Sequence, residues 1–186
     1  MFKKILLSAA AVTVMMSSPA FAFDEAAAKK MVDETINKWL LDAQVLDAVK
    51  AQNTETSGFD QAKIDDVDAK WKAGDAGTVD KVMNSKLSAF LKDVLVKSDG
   101  LYTEIIIMDA KGLNVGLSDK TSDAWQGDED KFTKSFGAGA GSVHLGEVEL
   151  DESSQTYSQQ LSVPIVDGGT LIGAATIGLN ADKLPK

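Results

Sequence analysis

The chain lacks cysteine and arginine and has a single histidine, His144. Without cysteine it can form no disulfide framework, thiolate nucleophile, iron–sulfur cluster or thiolate zinc site. One histidine excludes a histidine-rich zinc site and leaves only His144 for a Ser-His-Asp triad. Without arginine, no guanidinium can hold a carboxylate or phosphate through two parallel hydrogen bonds. The composition therefore predicts a protein that is not an enzyme.

The charge balance is acidic. All 19 basic residues are lysines, and 28 acidic residues bring the formal net charge to −9. Nucleic acid and anionic membrane surfaces favour clustered cations, so we expect this protein to bind neither. No cofactor is expected, because the glycines of residues 137–141 lack the GxGxxG pattern and the acidic residues of 119–130 lack EF-hand spacing. A length of 186 residues fits one globular domain, with or without a helical extension.

The N-terminus has the pattern of a secretory signal peptide. Two lysines precede an apolar run over residues 5–16, and an A-x-A sequence ends at Ala22. The run is shorter than the ~20 residues that a membrane helix needs, although an uncleaved anchor remains the alternative. We expect cleavage after Ala22 to remove residues 1–22 and leave a periplasmic protein. Loss of the two lysines would lower the net charge from −9 to −11.

Residues 23–98 are expected to form a helical segment. Glycine and proline are absent from residues 23–52, which predict one long helix. Its apolar residues recur at spacings of three and four: Val32, Ile36, Trp39, Ala43 and Leu46. Further helices are predicted over residues 59–72 and over residues 78–97, the latter capped by Thr78. The first helix could pack along a sheet, or could also pair with a second copy of the chain.

The pattern changes after Gly100 to short strands joined by hairpin turns. The predicted strands are residues 101–108, 113–117, 143–150, 156–166 and 171–179. Hairpin connections make the sheet antiparallel, and the last strand, nearly free of polar side chains, should be central. The predicted fold class is α+β, with long N-terminal helices packed on a five-stranded antiparallel sheet.

Two hairpin sequences in this half resemble a known family. One is Tyr-Thr-Glu-Ile-Ile-Ile-Met-Asp-Ala-Lys-Gly from Tyr102, followed by Val-Gly-Leu-Ser; the other is Val-Pro-Ile-Val-Asp-Gly-Gly-Thr-Leu-Ile-Gly from Val163. Together, behind an exported helix, they resemble the core of extracellular single Cache domains, the PAS-like or PDC sensors. The resemblance covers about residues 99–180 and implies a PAS-like domain over residues 99–186.

Membership of that family would imply a ligand pocket on one face of the sheet. The strands and the segment after the second strand would form its walls. In the family this module usually lies between two membrane helices of a chemoreceptor, histidine kinase or cyclase. This chain ends at Lys186 without a second such helix. The resemblance therefore implies a free-standing periplasmic form that signals through a membrane-bound sensor kinase or chemoreceptor.

Three aromatic residues are candidates for ligand binding. Trp125 and Phe132 lie in the segment that covers the pocket in the resembled family, where aromatic side chains face the ligand. Tyr102 combines an aromatic ring with a hydroxyl, and strand alternation places it on the same face as Glu104. The alternative is that these aromatic side chains are plain hydrophobic contacts.

Four polar residues complete the candidate set. Lys131 and Lys134 are the cations of the same segment, and without arginine they would have to bind any carboxylate ligand. Asp123 could receive an amine or a hard cation. Asn180 follows the last strand, where family members often place an aspartate that meets a ligand amine. The alternative for the charged residues is a solvated loop.

Three further polar residues receive no function. His144 is expected to be satisfied or exposed rather than catalytic. Asp109 and Asp167 each stand near glycine in a hairpin turn, where their carboxylates are expected to accept hydrogen bonds from local backbone N–H groups.

The sequence thus predicts an exported, non-catalytic domain that binds a small organic molecule and acts as a sensor. The missing arginine and the acidic charge favour a cationic or neutral ligand over a carboxylate, or no ligand. The alternative is a ligand-free interaction protein. It would form a homodimer, or bind a periplasmic receptor, through the helix that contains Val32 and Leu46.

Overall fold

A five-stranded antiparallel sheet follows a set of short helices in the computed structural model. The model describes residues 23–151 and 156–184, so the expected signal peptide of residues 1–22 lies outside the described residues. Across the described ranges, no helix has the length and apolar character needed to traverse a bilayer.

Residues 23–98 form six helices, and all but the second begin at a polar cap. They are α1 (Glu25–Met31), α2 (Asn37–Leu40), α3 (Ala43–Thr56), α4 (Gln61–Lys72), α5 (Ala76–Met83) and α6 (Lys86–Lys97), with a π-helical turn at Val32–Ile36 between α1 and α2. Five of these helices are preceded by a residue whose side chain accepts a hydrogen bond from a backbone N–H of the first turn. These residues are Asp24, Asp42, Asp60, Asp75 and Ser85. Such caps satisfy donors that a helix leaves free at its start.

The prediction of one helix over residues 23–52 is wrong. The helix ends at Leu40, and Asp42 adopts an extended backbone with ψ of 146°. Its Oδ1 accepts a hydrogen bond from the Gln44 backbone N–H at 2.8 Å. A short polar side chain competes with the helical backbone in this way, so the chain stops and restarts at Asp42.

The predicted apolar stripe faces the core except at Ala43. Ile36 is buried, and Val32, Trp39 and Leu46 are partly buried against the core. The apolar neighbours Leu40, Val45 and Val49 are buried as well. Ala43 is exposed at the first position of α3, directly after the break at Asp42.

The predicted helix over residues 78–97 is divided in two, and its predicted Thr78 cap is wrong. Asp75 caps α5, because its Oδ1 accepts hydrogen bonds from the Thr78 backbone N–H at 2.9 Å and from the Thr78 hydroxyl at 2.8 Å. Ser85 then starts α6 by accepting from the Ser88 backbone N–H at 3.0 Å.

All five predicted strands are present, and the antiparallel pairing is confirmed. They are β1 (Tyr102–Asp109), β2 (Asn114–Leu117), β3 (His144–Asp151), β4 (Thr156–Asp167) and β5 (Thr170–Asn180), with a short helix α7 (Asp130–Thr133) and a 3-10 turn (Phe136–Ala138) before β3. The order across the sheet is β2-β1-β5-β4-β3. The prediction that β5 is central is confirmed, and the fold is α+β, with the helices packed on a five-stranded antiparallel sheet.

The two faces of the sheet bury different helices. On the face that we call the α3 face, strand residues such as Ile105, Ile107 and Ile177 pack against α1 to α3 and α6. On the opposite face, the α7 face, Ile106 and Met108 form a smaller cluster with helical residues that include Trp71 and Phe132. Burial of each large apolar side chain stabilises the fold by about 1.5–3 kcal/mol, so both faces contribute to the core.

Candidate functional site

An open cleft of about 1170 Å³ lies beside α7, lined by residues of β1, β3 and β4. Its carboxylates outnumber its lysines by six to two. The acidic residues are Glu104, Asp119, Glu129, Asp130, Glu147 and Glu149, and the basic ones are Lys131 and Lys134, joined by His144. A pocket of this size is large enough for a small organic molecule, and its charge is strongly acidic.

Glu104 is positioned by a row of residues that crosses three strands. In the sheet register Gly178 of β5 lies opposite Glu104 of β1 on one side and opposite Gln160 of β4 on the other. Gln160 Nε2 donates a hydrogen bond to Glu104 Oε1 at 2.7 Å, over the glycine that separates them. A Cβ at Gly178 would lie 2.8 Å from Glu104 Cγ, so only glycine leaves this space.

A β-bulge in β1 puts Glu104 and Tyr102 on opposite faces of the sheet. Tyr102 pairs with Leu179 and Glu104 with the adjacent Gly178, so Thr103 is the extra residue on β1. Such a bulge interrupts the alternation of side chains between the two faces. The Thr103 and Ser158 hydroxyls lie 2.9 Å apart and join β1 to β4 at the same wall.

Both lysines of the cleft are already paired with acidic neighbours. Lys131 Nζ lies 3.0 Å from Glu129 Oε2 and also donates to Gln126 Oε1 at 3.2 Å. Lys134 Nζ lies 2.7 Å from Asp130 Oδ2, one helical turn away. Each ammonium group is therefore neutralised by a neighbouring carboxylate. The carboxylates of the cleft outnumber its ammonium groups by four.

His144 stands at the start of β3 in the cleft wall. Burial lowers its pKa below the ordinary value of 6.5, the Lys134 ammonium lowers it further, and the Asp130 carboxylate acts in the opposite direction. The imidazole is consequently neutral at pH 7. The sequence left His144 without a function, whereas the structure places it among the charged groups of the cleft.

The ionisation of His144 can be tested directly because it is the only histidine. We expect an NMR titration of its ring protons to give a midpoint below 6.5. Lys134→Met should raise the midpoint by removing a positive charge, and Asp130→Asn should lower it by removing a negative one. In the wild type, the imidazole of the unfolded chain has the ordinary pKa and binds a proton more readily than that of the folded chain. The contribution of His144 to stability should therefore fall as the pH drops below about 6.5. A wild-type midpoint above 6.5 would contradict this geometry.

Two of the seven predicted site residues line the cleft, Lys131 and Lys134. The expectation that Tyr102 shares a face with Glu104 is wrong because of the bulge. Tyr102 is buried on the α3 face, with its ring centre 6.3 Å from that of Trp39, and this burial raises the pKa of its hydroxyl.

The other four predicted residues make contacts outside the cleft lining. Phe132 is buried in the α7-face cluster and stacks on Phe136 with 4.9 Å between ring centres. Trp125 donates its indole N–H to the Lys111 carbonyl at 2.8 Å, on the β1–β2 turn. Asp123 accepts from Gln126 at 2.7 Å, and Asn180 accepts from the Asp182 backbone N–H at 3.0 Å. The structure does not bring these four side chains together.

Sequence reasoning missed Glu104 and Gln160. A signal for Gln160 was present, because Ser158, Gln160 and Ser162 occupy alternate positions of β4 and must share one face. Glu104 lies on the same strand face as Ile106 and Met108 by alternation, and the sequence did not mark it further. Within the part of the chain that the structure describes, no three His, Asp or Glu side chains converge on a position for a metal ion.

Comparison with known proteins gives structural neighbours but no family. No protein-family model matches the chain, and no curated protein matches it. The V. cholerae histidine kinase DctB sensor domain is 12% identical, with a TM-score of 0.41 over 83% of this chain and 57% of that one. The Campylobacter jejuni chemoreceptor Tlp3 ligand-binding domain, in complex with 4-methylisoleucine, is 11% identical, with a TM-score of 0.40 over 84% and 56%.

A third neighbour is the ligand-binding domain of the Pseudomonas aeruginosa amino acid chemoreceptor PctC in complex with GABA. It is 12% identical, with a TM-score of 0.41 over 84% of this chain and 59% of that one. All three neighbours are sensor or ligand-binding domains of histidine kinases or chemoreceptors. The present chain spans little more than half the length of each.

Proposed function

We propose that this chain is an exported, non-catalytic sensor domain that binds a small organic cation in the cleft beside α7. The observation that carries the proposal is the Glu104 carboxylate, held by Gln160 Nε2 at 2.7 Å in a cleft where carboxylates outnumber lysines. A fixed carboxylate is preorganised to accept hydrogen bonds from an ammonium group, which lowers the entropy cost of binding.

The charge of the cleft favours a cation over an anion. A carboxylate ligand would need a free ammonium or guanidinium group, but Lys131 and Lys134 are paired with Glu129 and Asp130 and the chain has no arginine. An amine would instead meet uncompensated negative charge. The hydroxyls of Thr103 and Ser158 line the same wall and could orient polar groups of the ligand.

We propose further that the liganded domain acts on a membrane-bound sensor kinase or chemoreceptor from the periplasm. The signal-peptide pattern of residues 1–22 and the two Cache-like hairpin sequences support this placement. The alternative of a homodimer through the first helices has less support, because Ile36 and Leu40 of those helices are buried against the sheet.

The ligand proposal can be tested by thermal unfolding with matched amines and acids. Putrescine, ethanolamine and choline would be compared with succinate and acetate. An amine present at 100 times its Kd should add about 2.7 kcal/mol of stability, which for a domain of this size raises Tm by roughly 5–10 °C. Stabilisation by the acids alone would contradict a cation site. If no compound of a broad panel raises Tm, ligand binding itself would be contradicted.

The role of Glu104 is tested by Glu104→Gln in the same experiment. We expect this variant to bind the active amine about tenfold or more weakly, because a charge-assisted hydrogen bond is lost. Glu149→Gln is the matched control, since Glu149 lies on the exposed part of the cleft lining, and we expect a change of less than about threefold. Equal losses in both variants would indicate a general effect of charge instead of a defined contact.

A further inference from the structure

The last strand in the sheet order, β3, leaves one edge of the sheet open. In the order β2-β1-β5-β4-β3, no other strand of the described ranges pairs with the side of β3 that faces away from β4. We call this side the β3 edge. A free strand edge presents unpaired backbone N–H and C=O groups, and another extended chain can pair with them.

The opposite edge of the sheet, at β2, is covered by other parts of the chain. The backbone N–H of Asn114 donates to the Ala124 carbonyl at 2.9 Å. The backbone N–H of Leu117, at the other end of the strand, donates to Ser88 Oγ at 2.9 Å. The fold therefore satisfies main-chain groups at one edge of the sheet and leaves the β3 edge open.

The direction of the main-chain groups of β3 follows from the sheet register. The Asn180 backbone N–H donates to the residue before β1 at 2.8 Å, so the main chain of its β4 partner Ser158 points away from β5 and toward β3. Ser158 pairs with Glu149 of β3, whose main chain points back toward β4. Because neighbouring residues of an antiparallel strand alternate in this direction, the N–H and C=O groups of Val148 and Leu150 point to the β3 edge.

The two faces of the sheet beside the β3 edge differ in chemistry. On the α3 face, which Tyr157 shares with the buried Leu161, Leu150 lies directly opposite Tyr157. These two are 45% and 48% exposed, and they are two of the four large apolar side chains that are exposed among the described residues. On the α7 face, Glu147 and Glu149 are exposed and line the cleft. An added strand would therefore meet apolar side chains on one face and carboxylates on the other.

The charge of the β3 edge discriminates between partners. Residues 135–182 contain no lysine or arginine, so β3, β4 and β5 offer no such cation to Glu147 and Glu149. A second copy paired through the same edge would bring these carboxylates close to their own counterparts, and like charges on adjacent strands are destabilising. Lysine or arginine at alternate positions of a partner strand would instead lie beside the carboxylates and supply the missing charge.

We propose that the β3 edge binds an extended segment of a partner protein in which basic residues alternate with apolar ones. The main-chain groups of Val148 and Leu150 pair with the backbone of the segment. Its apolar residues pack on Leu150 and Tyr157. Its basic residues lie beside Glu147 and Glu149. This interaction uses main-chain pairing, and it does not depend on the cation site proposed for the cleft.

The test compares three capped peptides with the same lysine and valine content. The first alternates lysine with valine, the second has the two residue types in separate blocks, and the third is the alternating peptide with N-methyl groups on the valine amides, which would face β3. Each peptide is titrated into the ¹⁵N-labelled protein. We expect the alternating peptide to shift the backbone amide signals of Val148 and Leu150 and to slow their hydrogen exchange. The other two should bind at least about tenfold more weakly, because matched side chains or main-chain hydrogen bonds are lost.

Two substitutions at Leu150 separate the main chain from the side chain. Leu150→Pro removes the outward N–H, and proline is tolerated on an edge strand, whereas Leu150→Ala removes most of the side chain but keeps the N–H. We expect Leu150→Pro to weaken binding of the alternating peptide at least about tenfold, and Leu150→Ala by only about threefold. Unchanged NMR signals from the β5 residues would establish that each variant remains folded. Equal effects of the two variants would contradict main-chain pairing.

Reversal of charge provides a second test that does not disturb the backbone. Glu147→Lys and Glu149→Lys, combined in one variant, should transfer the preference from the lysine–valine peptide to a glutamate–valine peptide with the same alternation. Both side chains are exposed in the wild type, so the variant should fold normally. Retention of the original preference would contradict the proposal.

Three further outcomes would each overturn the proposal. Equal affinity of the alternating and block peptides would mean general charge attraction. Shifts confined to cleft residues such as Lys131 and Lys134 would place the peptide lysines in the cleft, which would contradict edge pairing but agree with the proposed cation site. A dimer of the free chain that Leu150→Pro dissociates would show that a second copy occupies the β3 edge.

Discussion

Replacing Asp109 with alanine should lower the free energy of unfolding by about 3–5 kcal/mol. The Asp109 carboxylate is fully buried. Oδ1 accepts from the backbone N–H groups of Lys111 at 2.8 Å and Leu113 at 2.9 Å. Oδ2 accepts from Thr56 Oγ1 at 2.9 Å and from Gln52 Nε2 at 3.3 Å. Alanine would leave the backbone N–H groups of Lys111 and Leu113 without this acceptor. It would also remove two of the hydrogen bonds that join the end of α3 to the β1–β2 turn.

Asp167→Ala is the matched control for Asp109→Ala. Asp167 also precedes glycine in a hairpin turn, but its carboxylate pairs with Lys50 at 3.0 Å with its side chain 35% exposed. Exposed ion pairs contribute less than about 1 kcal/mol, so the control should unfold close to the wild type. Urea unfolding followed by circular dichroism measures both. A loss below about 1 kcal/mol for Asp109→Ala would show that the network is not needed for stability.

Replacing Trp71 with alanine should destabilise the fold by a similar amount, about 3–5 kcal/mol. Trp71 has no exposed surface and is the largest side chain of the α7-face cluster. Its removal leaves a cavity among Ile106, Met108 and Phe132 and frees the Thr121 carbonyl from its 2.9 Å hydrogen bond. Helix α4 would then lose its most deeply buried side chain.

Trp71→Phe separates packing from hydrogen bonding. The phenyl ring fills most of the space but donates no hydrogen bond to Thr121, so we expect a loss of about 1–2 kcal/mol. Urea unfolding gives both values, and Trp39 and Trp125 remain as fluorescent probes. Equal destabilisation by alanine and phenylalanine would mean that the hydrogen bond, rather than the volume, determines the effect.

The two turn aspartates illustrate how far local sequence can predict structure. Both precede glycine in a hairpin turn, and the same local hydrogen bonding was expected of both. The expectation is confirmed for Asp109, which accepts from Lys111 and Leu113. What the sequence could not supply is the contribution of Thr56 and Gln52, which lie 53 and 57 residues away and reach Asp109 only in the folded chain. Long-range partners of this kind have no periodic signal.

Strands were predicted more accurately than helices for a physical reason. The β1–β2 and β4–β5 turns each carry glycine and aspartate, which mark strand ends clearly. Helix ends are marked by single capping side chains, and an aspartate such as Asp42 also occurs freely on exposed helical surfaces. Periodicity alone could therefore not distinguish a cap within residues 23–52 from a solvated residue.

A pocket on one face of the sheet was predicted, but only part of its lining was identified. Lys131 and Lys134 were identified from their position after the second strand, and both line the cleft. The facing wall depends on strand register, which places Glu104, Gly178 and Gln160 in one row. Alternation predicted one face for Tyr102 and Glu104, but one extra residue in β1 puts them on opposite faces.

The strand order has a consequence for how the protein folds. β5 lies between the β1–β2 hairpin and the β3–β4 hairpin, yet it is the last strand in sequence. Until β5 is in place, the two hairpins share no main-chain hydrogen bonds. Pairing β1 with β5 joins Tyr102 to Leu179 and requires closure of a long loop, which is slow compared with forming local helices. We therefore expect the pairing of β1 with β5 to form late, and the cleft wall of Glu104 and Gln160 to form with it.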